Sequence, residues 1–129
     1  MAEPAPSLRT PLSQVRYLGA ARLGTSDVWR QRITAVALVP LAILFVCFVL
    51  DLLAKDYAQV RAALGSPVEL IVIVAFVLTG VFHMQIGMRS IILDYLYGAA
   101  REWSLIANTL FSLAVGALCV YAILRIGFV

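Results

Sequence analysis

The sequence predicts an all-α membrane protein with three transmembrane helices, and two observations carry that reading. The first is composition: 63% of residues are hydrophobic and 13% are charged, with a mean hydropathy of +0.97. Soluble domains carry about 25% charge, so roughly half of a water-facing surface is missing and lipid takes its place. The second is that the apolar residues fall into three runs. Each is long enough for the roughly 20 helical residues that cross about 30 Å of hydrocarbon. A chain of 129 residues holds one such unit, and no internal repeat divides it.

Residues 1–30 read as an N-terminal cytoplasmic or interfacial tail, irregular or partly helical, because Pro4, Pro6, Pro11, Gly19 and Gly24 interrupt it. It has no continuous apolar segment, so it is not a secretory signal. Its arginine-bearing, acid-poor character is faintly like an organellar transit peptide. It nevertheless leads straight into the first apolar helix, and is read as retained. Thr25 or Ser26 is expected to cap that helix, with Trp29 as an interfacial anchor.

Residues 31–129 form the membrane unit. The first span is expected over about 33–53, where Pro40 should kink the helix without ending it. Asp51, Lys55, Asp56 and Arg61 mark its polar exit, and Gly65 to Pro67 close the loop. The second span is expected over about 68–93 and the third over about 104–126. Between these two, Asp94 to Trp103 read as a short polar loop with Tyr95, Tyr97 and Trp103 at interface height. Cys47 and Cys119 each lie in an apolar run and read as buried, reduced thiols.

Cation placement predicts topology. Arg9, Arg16, Arg22, Arg30, Arg32, Arg89 and Arg101 fall on one side, against Lys55, Arg61 and Arg125 on the other. Positive-inside reasoning puts the N-terminus and the Asp94–Tyr95 loop in the cytoplasm or matrix, and the C-terminus outside. The net charge of +3 is modest and its arginines are dispersed, so nucleic-acid binding is not expected. No phosphate loop, nucleophile–base pair or cysteine cluster is present. The chain therefore carries no catalytic residues of its own. Three spans cannot hold two inverted transporter halves either, and Asp94 sits at a helix end, which argues against a carrier.

The second span carries the chain's one histidine, His83. At about 100° per residue, Asp94 lies eleven steps on and points the same way, about 16 Å along the axis. Gly80, Gly87 and Ser90 fall within about 60° of that line. A small, polar stripe thus runs down a greasy helix. It has two readings. One is a helix–helix seam, where small residues admit a neighbour and histidine adds a hydrogen bond. The other is a cofactor face, where glycines leave room for a flat ring and a neutral imidazole nitrogen ligates haem iron. Asp94 and Tyr95 read either as helix-end solvation with an aromatic belt or as a quinone pocket, where a phenol donor stands beside a proton-handling carboxylate. Arg32 is a positive-inside arginine or, beside a haem, a propionate partner. Arg89 points off the stripe and is expected to snorkel.

His83, Gly87–Met88 and Asp94–Tyr95, with the opening Arg32, Thr34 and Ala35 of the first span, resemble the small hydrophobic membrane anchor of succinate dehydrogenase (complex II). The resemblance covers all three spans. It implies one part of a heteromeric helix bundle in a bacterial inner membrane rather than a mitochondrial one. The partners implied are a second, cytochrome b556-type anchor subunit, an iron–sulfur subunit and a flavoprotein subunit. It implies succinate oxidation outside the membrane, with electrons passing to ubiquinone. By the same resemblance His83 is an axial ligand of haem b, Arg32 lies near a propionate, Tyr95 hydrogen-bonds a quinone carbonyl and Asp94 shapes that pocket. Gly80, Gly87 and Ser90 then pack the haem face. With one histidine, the chain supplies one imidazole, so a bis-histidine haem is shared with another chain. The competing expectation is a non-catalytic scaffold or assembly protein whose stripe is only a packing seam.

Overall fold

The computed structural model describes residues 23–128. Four helices follow in order: α1 (Leu23–Leu52), α2 (Tyr57–Leu64), α3 (Pro67–Tyr95) and α4 (Gly98–Phe128). α1, α3 and α4 are each long and apolar enough to cross a membrane, and no strand occurs among the described residues. At 30, 29 and 31 residues, each helix spans about 45 Å, so its ends extend past about 30 Å of hydrocarbon.

The ends differ from expectation for local reasons. α1 is described from Leu23, so Thr25 and Ser26 lie within the helix rather than at a cap. The last residues of the expected tail are therefore helical. Residues 1–22, with Arg9, Arg16, Arg22 and the three tail prolines, lie outside the described residues. Pro40 sits inside α1 without ending it. In the first loop, Asp56 is an N-cap. Its carboxylate accepts from Gln59 N at 2.8 Å and Gln59 Oε1 accepts from Asp56 N at 3.2 Å, a reciprocal capping box that starts α2. α3 opens with Pro67 in its first turn, where the missing N–H costs nothing. The expected loop over Asp94 to Trp103 shrinks to Leu96 and Tyr97. Gly98 turns the chain at φ +58°, which glycine adopts without a Cβ penalty, and Ala99, Ala100, Arg101 and Glu102 are strong helix formers that extend α4 back to that turn.

α3 is the middle element. α1 and α4 both pack along it and make no contact of comparable extent with each other. α2 rests on α4 and on the start of α3. The result is an open row, with few buried side chains: Ile73, Ile86 and Ile92 on α3, and Asn108 and Ser112 on α4. Asn108 Nδ2 donates to the Gln85 carbonyl at 2.9 Å, fastening α4 to α3 by a hydrogen bond of the kind that joins membrane helices. Outward faces are apolar, as at Val36 and Leu113, and suit lipid or another apolar helix. Cys47 is exposed on such a face and Cys119 is half-buried. Both are free thiols, so the expected burial of Cys47 does not hold in an open row.

Candidate functional site

The polar stripe of α3 faces α1. Going up α1, Asp27, Thr34, Leu38 and Phe45 meet, in turn, Arg89, His83, Gly80 and Phe76 going down α3. The two helices are therefore antiparallel. Phe45 and Phe76 stack across the seam with ring centroids 4.6 Å apart and an interplanar angle of 16°, within the separation at which aromatic pairs attract.

His83 is half-buried in this seam and is held at both ring nitrogens. Gln31 Nε2 lies 3.0 Å from His83 Nε2, and Thr34 Oγ1 lies 2.9 Å from His83 Nδ1. The Thr34 hydroxyl hydrogen is directed at its own helix, with the Arg30 carbonyl at 2.8 Å and the Gln31 carbonyl at 3.0 Å. Its oxygen then faces Nδ1 as an acceptor, a pairing that favours the ring hydrogen on Nδ1. Nε2 keeps its lone pair and accepts from the Gln31 amide. A ring held at Nδ1 by an outer partner is the arrangement found at metal-binding histidines, but here Nε2 is met by Gln31 and becomes available only when that amide moves aside.

The Gln31 amide is poorly matched to this place. Its Oε1 is buried with no hydrogen-bond partner, which costs about 1–3 kcal/mol for a neutral acceptor. Gly87 makes room for it: a Cβ there would stand 3.2 Å from Gln31 Nε2. At Gly80 a Cβ would meet Leu38 Cδ2 at 3.9 Å, an ordinary contact. Ser90 turns its hydroxyl back to the Ile86 carbonyl at 3.3 Å. The structure thus brings together His83, Gly80 and Gly87 against Gln31, Thr34 and Leu38.

It does not bring Asp94, Tyr95 and Arg32 to that group or to one another. Asp94 ends the seam stripe and is exposed. Tyr95 is 76% exposed and points about 100° away from Asp94, in line with Met84 and Met88. Those methionines and Ile92 line a hollow of about 480 Å³ against Ser104, Asn108 and Phe111 of α4. Arg32 is exposed on α1 at the depth of His83, and its direction is about 130° from the side that meets α3.

Two features escape a reading confined to single helices. Gln31 is one, since only the antiparallel alignment of α1 with α3 places it on His83. The other is Arg89, for which snorkelling is the expectation. Its Nε lies 3.2 Å from Asp27 Oδ2, although the N–H is not aimed at the carboxylate. It forms an ion pair by contact rather than a directed hydrogen bond, and ties the end of α3 to the start of α1.

These features define a class: a small multi-span helical membrane protein with an open packing face and one histidine oriented in an interhelical seam. The family model described as the succinate dehydrogenase/fumarate reductase transmembrane subunit matches residues 6–124, and the chain belongs to that family. It is similar to the succinate dehydrogenase hydrophobic membrane anchor subunit of Paracoccus denitrificans, 35% identical over 118 residues that cover 92% of each chain. It is also similar to the subunit of the same description from Rickettsia bellii (strain RML369-C), 30% identical over 106 residues, 81% of this chain and 85% of the relative. The resemblance read from His83, Gly87–Met88 and Asp94–Tyr95 is therefore confirmed at the level of family. This chain is a membrane-anchor subunit of a succinate dehydrogenase or fumarate reductase complex.

Proposed function

We propose that this chain anchors a succinate:ubiquinone oxidoreductase in a bacterial inner membrane, that His83 would hold a haem b there, and that the chain forms part of the ubiquinone site. Its partners in this reading are a second, cytochrome b556-type anchor subunit, an iron–sulfur subunit and a flavoprotein subunit. The observation that carries the proposal is the setting of His83, the chain's one imidazole, with Thr34 Oγ1 at Nδ1 and only a side-chain amide, that of Gln31, at Nε2.

His83 is the side chain that would hold a haem iron, through Nε2 once the Gln31 amide moves aside. The chain has one histidine, so the second imidazole of a bis-histidine haem would come from the partner anchor. Gln31 is a flexible side chain whose Oε1 lacks a partner, so its displacement from Nε2 sacrifices one hydrogen bond and releases an unsatisfied oxygen. When bound, haem b supplies a one-electron redox centre within the membrane. Arg32, exposed at the depth of His83 and outside the ion pairs of the described residues, is available to a propionate. Gly80 and Gly87 keep the seam beside the ring thin, with Ser90 one turn further on.

At the end of α3, reduction of ubiquinone to ubiquinol takes two electrons and two protons. The Tyr95 hydroxyl donates a hydrogen bond to a quinone carbonyl oxygen, which polarises it for reduction. The Asp94 carboxylate, exposed at the same level, takes protons from water and passes them inward. Because Tyr95 is mostly exposed, partner subunits complete the pocket around it.

A packing role for the stripe also has direct support, since Gly87 accommodates Gln31 within this chain alone. The two roles coexist, and function separates them. Material captured on a tagged copy of this chain in mild detergent should reduce quinone with succinate and contain the flavoprotein and iron–sulfur polypeptides. An intact membrane protein that brings down neither subunit and shows no such activity would refute the oxidoreductase reading.

A further inference from the structure

The end of the helix row away from Tyr95 holds a second polar constellation, which neither the haem nor the quinone reading uses. That end is poor in cations, with Lys55, Arg61 and Arg125. Lys55 is neutralised by Asp51, one turn back. The other two converge. α2 places Tyr57, Arg61 and Leu64 along one face, and the last turns of α4 place Tyr121, Arg125 and Ile126 opposite, around a single hollow of about 630 Å³. The capping box at Asp56 fixes where α2 starts and hence where this face points. None of the ion pairs among the described residues includes Arg61 or Arg125.

Two guanidiniums without a carboxylate, set in a mostly apolar hollow at the edge of a membrane, call for an anion with an apolar body. We propose that this hollow binds an anionic phospholipid of the leaflet at that end, its phosphodiester held between Arg61 and Arg125. Tyr57 and Tyr121, both exposed at the rim, offer phenol hydroxyls to the phosphate and glycerol oxygens. An acyl chain then follows the face of α4 that continues from Arg125 through Leu118, which is exposed and stands two turns deeper on nearly the same line. A soluble phosphate would leave the apolar walls uncovered; a phospholipid covers them. The proposal is independent of the haem and quinone assignments.

The test is lipid retention by the native complex, captured through a tagged copy of this chain and exchanged into detergent containing mixed phosphatidylglycerol and phosphatidylcholine. Bound lipid is then counted by mass spectrometry. The wild-type complex should retain phosphatidylglycerol in preference to phosphatidylcholine. A juxtamembrane arginine contributes about fivefold in affinity, so Arg61→Gln should weaken retention about fivefold, and the double variant with Arg125→Gln about thirtyfold. Arg61 is exposed on the outer helix α2, so R61Q alone is read where the double variant fails to assemble. Retention unchanged in R61Q would overturn the proposal. So would equal retention of phosphatidylcholine, or a wild-type complex with no retained lipid because a partner chain covers the hollow.

Discussion

His83 is held from α1 at both ring nitrogens, and the two holds are unequal. Thr34 fixes Nδ1 while its own hydrogen is directed at backbone carbonyls, whereas Gln31 meets Nε2 at the expense of a buried, unpartnered Oε1. The account therefore predicts opposite effects for two neighbouring substitutions. Thr34→Val should lower haem affinity of the assembled complex about 10- to 100-fold, the usual cost of removing a second-shell partner. Gln31→Leu removes a competitor for Nε2 and should leave haem occupancy equal or higher. Haem content per complex, read by absorbance after titration with free haem, checks both. At Tyr95, Tyr95→Phe removes only the hydroxyl from an exposed ring and should slow succinate-driven quinone reduction about tenfold, the worth of a well-placed hydrogen bond. An unchanged rate would show that Tyr95 is an interfacial belt residue. The stripe of Gly80, His83 and Gly87 was readable because it lies on one helix and needs only the helical period. Gln31 and Asp27 were not, because their partners stand on another helix and no periodicity within α1 marks them.

Between elements, the antiparallel seam of α1 and α3 depends on small residues at the level of His83. A Cβ on Gly87 already falls 3.2 Å from Gln31 Nε2, and Gly87→Leu would drive a branched side chain into that amide. Overpacking of this kind costs about 1–3 kcal/mol, so thermal unfolding of the purified complex should shift downward. The variant with Gln31→Ala added should recover part of the loss, and no recovery would mean that the strain lies elsewhere. The three spans were legible from apolar run length, but their ends were not. Hydropathy marks where lipid stops, while helices continue into the interface as far as turn geometry and helix-forming residues carry them, as at Gly98 and the residues after it. α2 was missed because it is eight residues long and too short to show a period. Its one local signal, the Asp56–Gln59 pair, lay among charges read only as a polar exit.

As a whole molecule the chain is an open row, with α3 between α1 and α4 and five buried side chains, apolar or polar, among the described residues. Family membership supplies the reason: an anchor subunit works beside other subunits, and an unclosed row leaves faces for them. That openness was not legible, since composition gives the number of spans and not which of them touch. The single histidine was legible, and it sets a stoichiometric expectation. The isolated chain in detergent should bind haem weakly, and adding the second anchor subunit should produce tight binding of one haem per pair. Haem titration with and without that partner checks this, and tight binding by the isolated chain would show that the second ligand is not external. The most direct test of the account as a whole is the reduced-minus-oxidised absorbance spectrum of the complex captured on this chain, recorded for wild type and for His83→Leu. The account predicts a b-type signal in the wild type that is lost or displaced in the variant, with the flavoprotein and iron–sulfur subunits still present. An undiminished, unshifted b-type signal in the variant would contradict it and leave His83 as a packing residue of the α1–α3 seam.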